Sequence, residues 1–110
     1  MPKTWTVVTL DARVDAELDA LPADMRARLV RISELIAAVG IENVGMPHVR
    51  PVKQPLWEMR LSGKSGSARA LYVITRETRV VILRAFVKKT RKTPRAEIEL
   101  ARRRARQLEG

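Results

Sequence analysis

The amino-acid sequence predicts an α+β domain in which helices pack on a curved antiparallel sheet. Apolar residues recur at helical spacing across residues 12–39 and again after Pro94. Between these two stretches, residues 56–86 show the alternation of apolar and polar side chains that is typical of strands. A chain of 110 residues without internal repeats suits one hydrophobic core, so we expect a single domain over residues 1–110.

The N-terminal part predicts one strand and a short helix. Trp5 to Leu10 is rich in β-branched and aromatic residues, which favour a strand. Asp11 suits the N-cap of a helix that ends before Pro22, because proline interrupts a helix. One apolar stripe of this helix contains Val14, Leu18 and Leu21.

A second, longer helix is predicted from Ala23 to Gly40, where glycine suits the helix end. Its apolar stripe contains Met25, Leu29, Ile32, Ile36 and Val39. Residues 41–55 contain three prolines and little periodicity, so we interpret them as an extended connection.

Three strands are predicted next, over residues 56–61, 68–74 and 80–86, joined by turns into an antiparallel meander. In the first of them, Glu58 and Arg60 share one face. The opposite face carries Trp57, Met59 and Leu61, which we expect to belong to the core.

A last helix is predicted to run to Leu108, with Thr93 as its N-cap and Pro94 in its first position. Its apolar face contains Ile98, Ala101, Ala105 and Leu108. The remaining surface is basic and contains Arg95, Arg102, Arg103 and Arg106. The element order is therefore β-α-α-β-β-β-α.

The net charge of +10 is concentrated in the second half of the chain. Residues 1–49 contain five Lys and Arg against seven Asp and Glu, whereas residues 50–110 contain seventeen against five. Such a concentration of like charge favours a polyanionic partner, and nucleic-acid phosphates are the commonest one. An ordinary solvated surface is the alternative interpretation.

Several classes of site are excluded by composition. The chain has no cysteine, and therefore no disulfide, thiolate metal site or cysteine nucleophile. It has no apolar run near the roughly 18 residues of a membrane span and no signal-peptide stretch at its start, so we expect a cytoplasmic protein. His48, in a proline-flanked loop, is more simply a structural residue than a general base. Gly63-Lys64-Ser65 does not fit a phosphate loop, because no helix follows it.

The second half of the chain resembles the phage-derived Gp49-like, HigB-type branch of the RelE toxin superfamily. The resemblance spans residues 56–104 and includes the pattern FVKKT-x-KTP-x-x-EI-x-x-A. The residues that carry it are LWEMRL at 56–61, SARALY at 67–72, AFVKKTRKTP at 85–94 and EIELA at 97–101.

This resemblance implies a RelE-like fold and the toxin of a type II toxin-antitoxin system. Such toxins are endoribonucleases that cleave messenger RNA, often on the ribosome, and need no metal or cofactor. The ribose 2′-hydroxyl attacks the adjacent phosphate and leaves a cyclic phosphate and a free 5′-hydroxyl. The implied partners are mRNA, the ribosome and a cognate antitoxin, which we expect to be a helix-turn-helix protein; no membrane partner is implied.

The resemblance also implies a set of site residues. Arg69 matches the arginine that contacts the scissile phosphate, and Arg60 a basic strand residue that steadies the nucleotide. Lys88 and Lys89 occupy the place of catalytic or phosphate-binding groups. Glu58 stands where several relatives carry a lysine. It serves either as general base or, as we favour, as a structural residue that offsets the positive charge of Arg60 and Arg69. Further RNA-binding cations are expected at Lys53, Arg84, Arg91 and Lys92.

Alternatives remain open at this point. Arg69 could pair with Glu58 or Glu77, and Tyr72 could be a semi-buried strand residue or a stacking platform. No tyrosine or histidine occurs between Lys88 and Gly110, so the general acid and base are unassigned. The chain could therefore also be a noncatalytic nucleic-acid-binding module, or a degenerate toxin that acts in transcriptional autoregulation.

Overall fold

The computed structural model describes residues 4–45, 48–76 and 78–108. The element order confirms the predicted α+β class, with one additional strand. The elements are β1 Thr6–Thr9, α1 Ala12–Asp19, α2 Ala23–Val39, β2 Val49–Lys53, β3 Leu56–Gly63, β4 Gly66–Thr75, β5 Arg79–Lys88 and α3 Arg95–Arg106. Within the described ranges, no helix is long and apolar enough to cross a membrane.

The five strands form one sheet in the order β1-β5-β4-β3-β2. Strands β3 to β5 are antiparallel neighbours, as predicted for the meander, and β2 pairs antiparallel to β3. The prediction of a wholly antiparallel sheet is wrong at β1, which pairs parallel to β5. A parallel pair needs a crossover, and the chain from β1 to β5 provides it through α1, α2 and the three intervening strands.

The helix termini follow the local sequence signals. The Asp11 side chain caps α1 by accepting a hydrogen bond from the Arg13 backbone N–H at 3.0 Å. Gly40 ends α2 with a φ of +84°, a conformation that side chains with a Cβ rarely adopt. A Cβ at Gly40 would also lie 3.0 Å from the Trp5 indole nitrogen. Both the backbone conformation and the lack of space therefore confirm the predicted glycine at the end of α2.

The interpretation of residues 41–55 as a connection without strands is wrong. A 3₁₀ turn spans Ile41–Asn43, and β2 follows at Val49–Lys53. Pro51 concealed this strand, because proline lacks the N–H of a central strand but is tolerated at a sheet edge, where β2 lies. The pairing places Arg50 opposite Glu58.

The sheet is covered on both faces, and this changes the interpretation of β3. On the first face, α1 and α2 pack against a core that includes the fully buried Met59 and Leu61, as predicted. On the second face, α3 packs against a smaller core that includes Leu56 and Leu71. The predicted charged face of β3 is therefore partly interior, because Glu58 is only 1% exposed there.

The side of β5 that faces β1 is completed by side chains, because β1 pairs only as far as Ile82. Beyond that point, Arg104 Nη1 donates to the Leu83 carbonyl at 2.8 Å. The Glu17 carboxylate accepts from the Ala85 backbone N–H at 3.2 Å. Two otherwise open backbone groups of β5 are thus satisfied.

The last helix differs from its prediction at both ends. Pro94 is the residue before its first turn, and Thr93 provides no side-chain cap. The helix ends at Arg106, and Leu108 beyond it is 42% exposed instead of lying on the apolar face. Ala101, Ile98 and Ala105 do pack against the second face, as predicted.

Candidate nucleic-acid interface

A buried carboxylate lies at the centre of the second face. Glu58 is held on β3 between β2 and β4, and its Oε1 accepts from Arg50 Nε at 2.5 Å. Arg69 Nε lies 3.4 Å from the same oxygen. The Thr93 hydroxyl donates to Oε2 at 2.5 Å. Two hydrogen-bond donors and one ion-paired guanidinium, each from a different segment, therefore converge on one carboxylate.

Arg69 lies on β4 directly opposite Arg60 of β3 and is only 3% exposed. Its Nη1 donates to the Ser67 hydroxyl and to the Ala68 carbonyl, the latter at 3.1 Å. Burial, together with the charges of Arg60 and Arg50, lowers the pKa of Arg69, and Glu58 opposes that shift. The Glu58 pairing considered from the sequence is confirmed, whereas Glu77 lies outside the described residues.

Lys88 is the last residue of β5 and lies opposite Ser67, two positions along β4 from Arg69. Alternation along the strand places both side chains on the second face. Partial burial and the positive charge of Arg69 lower the pKa of Lys88 from its ordinary value, and Glu58 partly offsets this effect. The sheet thus brings Lys88 and Arg69 to the same side of the molecule.

We call Arg50, Glu58, Arg60, Arg69 and Lys88 the Glu58 cluster. Four cations share a face of the sheet with one carboxylate, so the net charge of the cluster is +3 when all five groups are ionised. The Arg50 side chain is 41% exposed, whereas Glu58 and Arg69 form the buried floor. An excess of positive charge beside an apolar core produces a positive potential that attracts anions.

The other predicted cations differ in their surroundings. Lys89, Arg91 and Lys92 lie exposed in the segment between β5 and α3, and Lys53 is exposed at the end of β2. These four are accessible to a polyanion, although none belongs to the Glu58 cluster.

Arg84 is engaged in a second set of ion pairs, which we call the edge cluster: Glu17, Arg84, Glu97 and Arg104. Arg84 contacts Glu97 at 2.8 Å and Glu17 at 3.1 Å, and the hydrogen bond to Glu97 raises its pKa. Arg104 Nη2 lies 2.8 Å from Glu17. Two arginines and two glutamates balance one another, so Arg84 is positioned for structure more than for RNA.

Tyr72 lies on the first face and is fully buried. Its hydroxyl has no hydrogen-bond partner in the part of the chain that is described, and burial raises its pKa. The alternative in which Tyr72 stacks on a base is unsupported, because its ring lies in the core with Met59 and Leu61.

Several residues of this region were not singled out from the sequence, among them Arg50, Arg104 and Thr93 as a ligand of Glu58. The signal for Arg50 was the pair of β-branched residues Val49 and Val52 around it, which favours a strand once proline is accepted at a sheet edge. Thr93 and Arg104 gave no local signal, because their partners lie 35 and 87 residues away.

A family model described as "Phage derived protein Gp49-like (DUF891)" matches residues 16–106. The chain belongs to this Gp49-like family. Among curated proteins no sequence matches. The Gp49-like match extends well upstream of residue 56, where the recognisable motifs begin.

Solved structures extend this result to the fold. The chain is similar to a mutant of the E. coli toxin RelE in the free state, with a TM-score of 0.56 at 14% identity over 96% of this chain and 99% of that one. It is also similar to the archaeal RelE-RelB complex from Pyrococcus horikoshii OT3, with a TM-score of 0.53 at 18% identity over 79% of this chain and 98% of that one. The Gp49-like chain thus has the RelE fold.

Proposed function

We propose that this protein is the toxin of a toxin-antitoxin pair and that it cleaves messenger RNA without a metal ion. The observation that carries the proposal is the Glu58 cluster, in which cations from four strands share one face of the sheet. Membership of the Gp49-like family and the RelE fold support the toxin assignment.

The cluster suits a phosphodiester in three respects. Arg50 and Arg60 lie at the accessible rim, where guanidinium groups can hold phosphoryl oxygens in a fixed geometry. Arg69 adds a buried positive charge beneath them. Charge that develops on the phosphoryl oxygens would therefore meet preorganised donors, and electrostatic stabilisation of this kind contributes more to catalysis than any other effect in many enzymes.

Lys88 suits proton donation to the leaving 5′-oxygen. In the proposed step the 2′-hydroxyl releases its proton to solvent, its oxygen forms a bond to phosphorus, and the bond from phosphorus to the 5′-oxygen breaks. The 5′-oxygen takes its proton from the Lys88 ammonium, whose lowered pKa brings it closer to the working pH. The products are a 2′,3′-cyclic phosphate and a 5′-hydroxyl.

Glu58 is a positioning residue in this scheme and not the general base. Its two oxygens already accept from Arg50 and Thr93, and the group is 1% exposed. A carboxylate held in this way fixes the arginines at its sides. Lys53, Lys89, Arg91 and Lys92 would contact the RNA backbone on either side, as nonspecific phosphate contacts.

The proposed partners are mRNA, the ribosome and an antitoxin. One structural neighbour is a complex of RelE with RelB, which supports an antitoxin partner here. We propose a helix-turn-helix antitoxin encoded beside the toxin gene. Coexpression with the neighbouring reading frame should abolish growth inhibition and give a complex that copurifies.

The test of the activity is cleavage of a defined mRNA by the purified protein, in the presence of a chelator, with and without ribosomes. We expect fragments with cyclic phosphate and 5′-hydroxyl ends. Lys88→Ala should abolish most of the cleavage, whereas Arg103→Ala on the exposed side of α3 should not. Intact RNA in both reactions, with strong binding retained, would favour a noncatalytic RNA-binding protein and overturn the proposal.

A further inference from the structure

A small basic cavity adjoins the Glu58 cluster and is not explained by it. The cavity has a volume of about 220 Å³ and is lined by Arg28, His48, Arg60 and Ser62. Arg28 comes from α2, in the half of the chain whose net charge is negative. The fold therefore places an arginine from the acidic half of the chain beside Arg60 from the basic half.

The cavity and the Glu58 cluster share Arg60. Arg60 is exposed, lies opposite Arg69 on the sheet, and its charge lowers the pKa of Lys88. It also lines the cavity together with Arg28. Arg60 therefore links the cations of the Glu58 cluster to Arg28.

We propose that this cavity binds the RNA phosphate adjacent to the one that is cleaved, so that Arg28, His48 and Arg60 form a second phosphate subsite. The inference rests on the proposed function and adds a path for the substrate. A single RNA strand would place its scissile phosphate at the Glu58 cluster and the next phosphate at Arg28.

The lining groups suit a phosphate diester. Guanidinium and imidazole groups both present N–H donors, and the Ser62 hydroxyl adds a further one. The described lining contains no carboxylate that would compete with a phosphate for these donors. The negative charge of a phosphate would offset the proximity of two guanidinium groups.

The backbone holds these groups in place without help from a ligand. Arg60 N–H donates to the His48 carbonyl at 2.8 Å, which fixes His48 beside β3. Arg28 Nε donates to the Ser62 carbonyl at 3.4 Å, which leaves the rest of its guanidinium available. The subsite is therefore preorganised from α2 and β3 before RNA arrives.

The test compares Arg28→Ala with Arg31→Ala, since both arginines are exposed on α2 but only Arg28 lines the cavity. The substrates are short oligoribonucleotides that contain one cleavable linkage. In a matched series, the phosphate on one side or the other of that linkage is replaced by an uncharged methylphosphonate. We measure kcat and KM for each pair of variant and substrate.

We expect Arg28→Ala to raise KM about tenfold on the fully charged oligonucleotide, with kcat nearly unchanged, because a charge-assisted contact is lost. In the wild-type protein, a methylphosphonate on one side of the linkage should raise KM to a similar extent, and its effect should be clearly smaller in Arg28→Ala, where only His48 and Arg60 of the subsite remain. The slope of log binding constant against log salt should fall by about 0.7 in Arg28→Ala. Arg31→Ala should match the wild type in all three measurements.

Two failures can be told apart. If the wild-type protein cleaves but Arg28→Ala and Arg31→Ala behave alike, or if the methylphosphonate effect is as large in Arg28→Ala as in the wild type, the subsite is overturned and the nuclease stands. If the wild-type protein cleaves none of the oligonucleotides or mRNA, the proposed function itself fails. The salt slope of Arg28→Ala in binding then still decides whether the cavity contacts a phosphate.

Discussion

Two groups of ion pairs lie on this small sheet, and they differ in balance. The edge cluster contains two arginines and two glutamates, joined by three ion pairs of 2.8 to 3.1 Å. The Glu58 cluster contains four cations and a single carboxylate. Positive and negative charges are thus equal in number in the edge cluster, whereas positive charges are in excess in the Glu58 cluster.

This difference in charge balance indicates a different role for each cluster. The edge cluster satisfies the open backbone groups at Leu83 and Ala85 and ties α1, β5 and α3 together. The Glu58 cluster has an excess of positive charge that its own residues do not neutralise. An unmatched excess favours an anionic ligand, so we expect substitutions in the first cluster to change stability and substitutions in the second to change activity.

The largest expected effect is on catalysis. Lys88→Ala should lower the cleavage rate by about 100-fold or more, because it removes the proposed proton donor. The free energy of unfolding should change little, since Lys88 lies at the end of β5 and is partly exposed. Single-turnover cleavage and urea denaturation measure the two quantities. Lys89→Ala is the matched control and should retain most of the activity; equal losses in the two variants would contradict the role of Lys88.

The second effect is on stability. Arg104→Met should lower the free energy of unfolding by about 3 kcal/mol, because the Leu83 carbonyl loses its donor and Glu17 loses one of two arginines. Cleavage at a temperature where the variant is folded should match the wild type. Arg106→Met, at the outer end of α3, is the control and should leave the unfolding curve unchanged. Loss of activity in the folded Arg104→Met protein would break the distinction between the clusters.

The third effect is a shift in pH dependence. Lys88 acts as a donor only when protonated, so cleavage should decline as the pH rises through its lowered pKa. Glu58 raises that pKa, and Glu58→Gln removes its negative charge while keeping its shape. The alkaline limb of the pH-rate profile should therefore move to lower pH in Glu58→Gln. A limb that stays in place would show that the titrating group is not coupled to Glu58.

The smallest effect concerns Thr93. Thr93→Val removes one hydrogen bond to Glu58 and should cost about 1 kcal/mol of stability, with a modest loss of activity. Thr90→Val is the control, because the Thr90 hydroxyl contacts the Lys92 carbonyl in the same loop. Thermal unfolding of both variants measures the difference, and identical melting temperatures would contradict a role for Thr93 in holding the segment before α3.

Local patterns predicted most of the elements, and long-range pairing decided the rest. The alternation in β3 and the apolar stripe of α2 were sufficient because each is repeated over several residues. Strand β2 was missed, since Pro51 interrupts its short pattern. The parallel pairing of β1 with β5 could not be predicted from either strand alone.

The site was partly predictable for the same reason. Arg69, Arg60 and Lys88 were identified through motifs, and the strand register brings them to one face. The burial of Glu58 was not foreseen, because it depends on α3 covering the second face. Arg50 joins the cluster only through the pairing of β2 with β3.

The central claim is that the excess charge of the Glu58 cluster forms a phosphate site. The most direct test is the affinity of a noncleavable RNA, with a 2′-O-methyl group at the cleavage position, measured over a range of salt concentrations. We expect Arg60→Ala to weaken binding about tenfold and to lower the salt slope by about 0.7, whereas Arg103→Ala on α3 causes a smaller loss. Equal losses in the two variants would show that RNA binds through general basicity, and would contradict the claim.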